Sequence, residues 1–239
     1  MKLLAIECST DRLSVALCQG DERWLHQGAG GAQASGTLIT AIMDLLVQAG
    51  LPLKALDAIA FGRGPGAFTG LRTACAVAQG LALGAHLPVL PIDTLMLLAQ
   101  AAKAAQSTTV RVMAVLDARM GQVYVAAYED SPQGWRCVQA PRVCQPESLD
   151  IPPDWPAQGW VLASNAMALY PAALALAAHQ GATVFEAWPQ ALCLLDVAAQ
   201  AFARGETVTA AQALPLYVRD KVALTSAERA AANQAASST

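Results

Sequence analysis

Charge is the first thing in short supply. Asp, Glu, Lys and Arg make up 14% of the 239 residues, against about 25% in an average soluble chain. The formal net charge is −3, so strong non-specific binding of nucleic acid by this chain alone is not expected. Neutralising phosphate takes clustered Lys and Arg. Long apolar runs are missing too, none approaching the roughly 18 residues that span a bilayer. The run at the start, Leu3 to Ile6, stops at Glu7, too early for the core of a signal peptide. Only three histidines occur, His26, His86 and His179, with no HxxxH or HExxH pair, which excludes a metal site built within one helix. Cys8, Cys18, Cys75, Cys137, Cys144 and Cys193 form no CxxC pair. They read as reduced, mostly buried thiols of a cytoplasmic protein. A GxSxG elbow is also absent.

Apolar residues, by contrast, make up 55% of the chain. With no membrane span to bury the excess, a protein interface is the home it implies. Alternating and buried-strand patterns predict strands at 2–8, 14–19, 23–27, 58–62 and 89–92, and helices at 37–49, 69–84 and from Asp93 or Thr94 to 105. The second half begins in the same way. "LLAIECSTDRLSVALC" (3–18) lines up with "VMAVLDARMGQVYVAA" (112–127), each a buried strand, an acid near its end, a polar turn and a second strand. The order of elements repeats after about 109 positions, which predicts a duplicated α/β unit. Residues 1–106 are then one lobe and 107–224 the second, C-terminal lobe, with helices at 169–180 and 190–203 and strands at 161–163 and 183–186. The Pro- and Trp-rich stretch 135–156 gives no clear pattern. The alanine-rich tail 225–239 has the composition of a disordered segment.

The stretch "FGRGPGAFTGLRTACAVAQGLALG" (61–84) combines a glycine-rich turn with a helix start, the general recipe for holding a phosphate. Gly64, Gly66 and Thr69 are the candidates to lie near a nucleotide, with Thr69 placed to cap the helix. Specific motifs fail, however. A Walker loop needs Gly-Lys-Ser/Thr, and "GRGPGA" fits GxGxxA only loosely, with Pro65 in the way. A ligand-free tight turn between strand and helix explains the glycines equally. Glu7 and Asp117 stand at equivalent points of the two repeats and are the candidate acids. The sugar-kinase pattern Asp-x-Gly-x-Ser/Thr is not met, because Glu7 is followed by Cys8, Ser9 and Thr10.

Two early helices carry more apolar surface than one face can use. In 37–49, Leu38, Ile39, Ile42, Leu45, Leu46 and Ala49 form a core stripe, and Ala41, Met43 and Val47 widen it. In 69–84, Arg72 is the sole charge, and Gly70, Ala74 and Ala78 recur every four residues, allowing close helix approach. A docking surface is the main reading. Mutual cover within a monomer is the alternative.

"GRGPGAFTGLR" with "AQGLALG", "DARMGQVYVA" (117–126), "PLYVRD" (215–220) and the opening "LLAIECST" follow one another in the order seen in the TsaB family, which the chain resembles. TsaB proteins are non-catalytic partners in bacterial threonylcarbamoyladenosine modification of tRNA. The resemblance implies a two-lobed actin/Hsp70/sugar-kinase-like (ASKHA) fold with duplicated mixed sheets. It implies no catalytic residues, no metal and no cofactor of its own, with ATP or ADP at a subunit junction. The implied partners are a TsaD-like catalytic subunit, a TsaE-like ATPase, tRNA through the complex, and a second copy when alone. Docking through the two helices makes Leu38, Ala41, Ile42, Leu45, Gly70, Arg72, Thr73, Ala74, Val77 and Ala78 the candidate partner-binding residues. The sequence departs from the family at Glu7, where Asp is usual, and at Ala34 and Ser35, where a His-Ser or His-Thr pair is common. The alternative function is a free-standing ASKHA-type small-molecule kinase with Glu7 or Asp117 on Mg–ATP.

Overall fold

The computed structural model describes residues 1–108, 110–179 and 181–219; the tail expected at 225–239 lies outside them. Two mixed five-stranded sheets form the frame. The first holds β1 (Lys2–Glu7), β2 (Arg12–Gln19), β3 (Glu22–Ala29), β4 (Ala58–Gly64) and β5 (Val89–Asp93), in the order β3-β2-β1-β4-β5. The second holds β6 (Arg111–Asp117), β7 (Val123–Ser131), β8 (Gly134–Cys144), β9 (Trp160–Ser164) and β10 (Ala182–Glu186), in the order β8-β7-β6-β9-β10. In each, three antiparallel strands lead to two parallel neighbours. The duplication anticipated from 3–18 and 112–127 is therefore a duplication of topology. β1 and β6 are covered on both faces, which is why "LLAI" and "VMAVL" read as unbroken apolar runs rather than alternating ones.

Helices α1 (Ala34–Gln48) and α2 (Phe68–Ala85) cover one face of the first sheet, over Leu4, Ile6, Val15, Ile59 and Phe61. The opposite face, with Leu3, Ala5, Ala16 and Ala60, is covered by α5 (Ala191–Ala203), which comes from the second half of the chain. In exchange, α3 (Thr94–Ala105) from the first half packs on Val112, Ala114, Leu116 and Tyr124 of the second sheet. Each half thus closes the other's core, and the two sheets share a helical middle layer. α4 (Pro171–His179) packs along β10. The outer face of the second sheet is closed by Leu149, Ile151, Trp155 and Tyr170. This accounts for the unreadable stretch 135–156: it is an edge strand followed by a loop that acts as a lid on the core, and neither has a helical or alternating period.

Beyond α5 the chain returns to the first sheet. Val208 exchanges two 2.9 Å hydrogen bonds with Val89, and the Leu216 N–H donates to the Arg63 carbonyl at 2.7 Å. The Ala213 carbonyl accepts from Gln79 Nε2 at 2.8 Å and Cys75 Sγ at 3.2 Å on α2. Among the described residues no helix is long and apolar enough to cross a membrane.

Candidate functional site

The glycine-rich turn is filled by its own chain. A Cβ on Gly70 would overlap the Cys8 carbonyl oxygen, and one on Gly66 would stand 2.5 Å from the Ser9 carbonyl oxygen. The Ala67 N–H donates to that same Ser9 carbonyl at 2.7 Å. These glycines let the loop and the first turn of α2 lie directly on the backbone leaving β1. Gly64 (φ +116°) does the same for the returning C-terminal segment, with the Leu216 carbonyl oxygen 2.6 Å from where its Cβ would be. Thr69 does not cap the helix. α2 begins one residue earlier, after Ala67, and the Thr69 carbonyl accepts from Thr73 Oγ1 within the helix.

The two candidate acids differ in environment. Glu7 is buried (1% exposed); its Oε1 accepts from the Ser9 N–H at 2.6 Å, and its Oε2 has no hydrogen-bond partner among the described residues. Oε2 is wedged where a Cβ on residue 62 would be, so only glycine fits there. Burial pushes the carboxyl up to about 7. Asp117 is half-exposed at the end of β6, and its Oδ1 accepts from the Arg119 N–H at 3.0 Å and the Tyr170 hydroxyl at 3.2 Å.

Between the sheets, at the carboxyl ends of their parallel strands, lies a cleft of about 490 Å³. This is where open α/β sheets gather ligands. Ser9 to Asp11, Pro65 to Thr69, Asp117 to Met120, Asn165, Trp188 and Leu216 to Arg219 line it. Gly66 and Thr69 thus reach the cleft, whereas Glu7 and Gly64 do not line it. The "PLYVRD" segment forms one wall: Tyr217 stacks at 5.2 Å on Phe68 and its hydroxyl accepts from Arg72 Nε at 3.1 Å. Arg219 reaches Gln122 Oε1 at 2.7 Å, linking the wall to the second sheet. Among the described residues no three of His, Cys, Asp and Glu gather to hold a metal ion.

The helix pair presents a different face from the one the sequence suggested. Leu38, Ala41, Ile42 and Leu45 on α1, and Gly70, Ala74 and Ala78 on α2, are buried against the first sheet. They satisfy the chain's own core and cannot offer side chains to a partner. Of the ten candidates only Arg72 is exposed, with Thr73 and Val77 half-buried. The bare residues are Met43 (47% exposed) and Val47 (77%), which widen the stripe, Ile39 (53%), which was expected in the core stripe, and Leu83 (72%) on α2, whereas Ala41, expected to widen the stripe, is buried. Ile39, Met43 and Val47 follow a four-residue spacing and share one face. The small residues every fourth position serve close packing of α2 on the strand ends beneath it. Helical periodicity identifies the two faces of α1; which one meets the sheet was decided by the longer apolar set, Leu38, Ile42, Leu45 and Leu46.

Comparison with known proteins adds to this geometry. Residues 31–227 match the family described as TsaD, tRNA N6-adenosine threonylcarbamoyltransferase. The Escherichia coli (strain K12) tRNA threonylcarbamoyladenosine biosynthesis protein TsaB is 35% identical, covering 93% of this chain and 96% of that protein. Its Haemophilus influenzae counterpart is 34% identical over 93% and 95%. Among solved structures, a Pseudomonas aeruginosa protein described as uncharacterized with similarity to peptidase YeaZ superposes with a TM-score of 0.81 at 38% identity, covering 91% of this chain and 99% of that one. With this agreement along nearly its whole length, and with the two-sheet fold and motif order described above, the chain belongs to the TsaB family within the wider TsaD family.

Proposed function

We propose that the chain is a non-catalytic subunit of the machinery that makes threonylcarbamoyladenosine in tRNA. In this reading it docks a TsaD-like catalytic subunit through the outer flanks of α1 and α2. The observation that carries the proposal is the bare ledge of Ile39, Met43, Val47 and Leu83. Ile39, Met43 and Val47 form a row along α1 at four-residue spacing, and Leu83 stands exposed on α2 beside the 207–212 segment; large apolar side chains in such a row are costly to leave wet and are the usual mark of an interface. Without its partner, the same ledge pairs with a second copy. A TsaE-like ATPase joins the assembled pair, tRNA is bound through the complex, and ATP or ADP sits at the subunit junction. Activation follows only if the chain binds the competent state of its partner more tightly than the idle one.

The competing reading, a free-standing kinase, needs an acid on Mg–ATP. Glu7 is enclosed and pressed on Gly62, which counts against it. Asp117 is already held by the Arg119 amide and Tyr170.

Co-purification with the catalytic subunit tests the proposal. Met43→Asp and Val47→Asp are expected to abolish the complex while leaving the melting temperature of the isolated chain within a few degrees. A complex that survives both substitutions defeats the docking reading. Ile42→Asp and Ala74→Arg are unsuitable probes, because both positions are fully buried and the variants would unfold.

A further inference from the structure

The cations of this chain are not distributed at random. Thirteen Lys and Arg fall among the described residues, and seven of them form ion pairs: Arg23, Arg63, Lys103, Arg111, Arg136, Arg142 and Arg204. Of the six without a carboxylate partner among the described residues, Lys2 and Lys54 lie near the start of β1 and just before β4. The other four, Arg12, Arg72, Arg119 and Arg219, surround the cleft at the opposite ends of those strands. Arg119 and Arg219 line it directly. Arg12 stacks at 3.6 Å over Trp188 and Arg72 at 3.8 Å over Phe68, both rings of the cleft wall. The acids of the same wall are Asp11 and Asp117. On a chain of net charge −3, the rim therefore has an excess of positive charge.

The geometry suits a polyanion rather than one phosphate. The four guanidinium groups come from β2, α2, the β6–β7 turn and the C-terminal segment, so they are spread around the rim. A guanidinium stacked on a ring is held in place while its in-plane N–H groups point outward to donate to phosphate oxygens; Arg72 gives its Nε–H to Tyr217 and keeps its terminal N–H groups for this. The β6–β7 turn is also built for display. Arg119, Met120 and Gly121 all have left-handed backbone, φ +58°, +56° and +72°. For the two non-glycine residues this costs about 1 kcal/mol or more each. The turn is held by Ala118 N–H to the Gln122 carbonyl at 2.9 Å and Gln122 N–H to the Arg119 carbonyl at 3.1 Å. The result is an exposed Arg119 with no side-chain hydrogen bond or ion pair among the described residues.

We propose that this arginine-rimmed cleft is where the chain itself touches RNA. The arginines engage successive phosphates of a tRNA strand, and Trp188 and Tyr217 offer ring surface to unstacked bases. This rests on membership of the tRNA-modifying complex but concerns a surface separate from the exposed ledge of α1 and α2.

The test measures tRNA affinity of the assembled complex at 50 and 200 mM salt, with wild-type chain, Arg119→Gln and Arg12→Gln. Each lost phosphate contact lowers the ratio of affinities between those salt concentrations by about threefold. Both variants are expected to show that loss with an unchanged melting temperature and unchanged co-purification. Unchanged affinity and salt dependence in both variants overturns the assignment. So does Arg119-dependent binding of free ADP by the isolated chain without any change in tRNA affinity, since the cleft then serves a mononucleotide. If the wild-type chain fails to bind the catalytic subunit, the docking reading fails instead. Photo-crosslinking of tRNA to the full chain alone then decides the rim: label at Trp188 or Tyr217 upholds it, and label elsewhere or none overturns it.

Discussion

Glu7 makes stability depend on pH in an unusual direction. Its carboxyl is enclosed, with Oε2 lacking a hydrogen-bond partner among the described residues, and burial raises it from 4.5 to about 7. Between those values the native state keeps a proton that the unfolded state has lost. Deprotonation therefore favours unfolding, and the contribution of Glu7, fully present below pH 4.5, falls away as pH rises towards 7. The change over that window is on the order of 3 kcal/mol. With a urea dependence of about 2–3 kcal/mol per molar, this is a displacement of roughly 1 M in the unfolding midpoint. Other groups titrate in the same range, so the informative quantity is the difference between wild type and Glu7→Gln, measured by urea unfolding from pH 4.5 to 8. The variant mimics the protonated acid and carries no titration. Its stability relative to wild type should climb by about that amount between pH 4.5 and 7 and then level off. A difference that stays flat across the range would show that the carboxyl ionises as it does in water, and the account of its burial would be wrong.

Gly70→Ala should destabilise the chain by about 3 kcal/mol or more, because the added methyl meets backbone at the Cys8 carbonyl and not a movable side chain; a melting temperature lowered by less than a few degrees would contradict this packing. Native-state thiol labelling should modify exposed Cys137 first and leave buried Cys8, Cys18, Cys75 and Cys193 unreacted until denaturant is added; burial raises the Cys8 and Cys193 thiols, the latter to about 12. Tyr217→Ala removes the ring contact with Phe68 and the acceptor for Arg72. Protease nicking near 215–219 should become faster, while the first sheet keeps its hydrogen-exchange protection.

The order of elements and the doubled unit were legible in residues 3–18 and 112–127, because a central strand buried on both faces leaves an unbroken apolar run that nothing else in the chain imitates. The outline of α1 and α2 was legible from their spacing. Which face stays exposed was not. Leu38 and Ile39 are equally apolar in sequence, yet one is buried and the other 53% exposed, and only the sheet beneath decides between them. The glycines of the turn were legible as a demand for close approach, but a phosphate and the chain's own Cys8 and Ser9 carbonyls make the same demand. Net charge was silent about placement for a similar reason. It averages over ion pairs such as Arg23–Asp196 and Arg63–Asp93 and hides four arginines around one cleft that form no ion pair among the described residues. Local periodicity and composition are properties of neighbours along the chain, and the sequence alone determined those. The exchange of α3 and α5 between halves, the buried state of Glu7 and the arginine rim depend on contacts between residues up to two hundred positions apart, which only tertiary packing could decide.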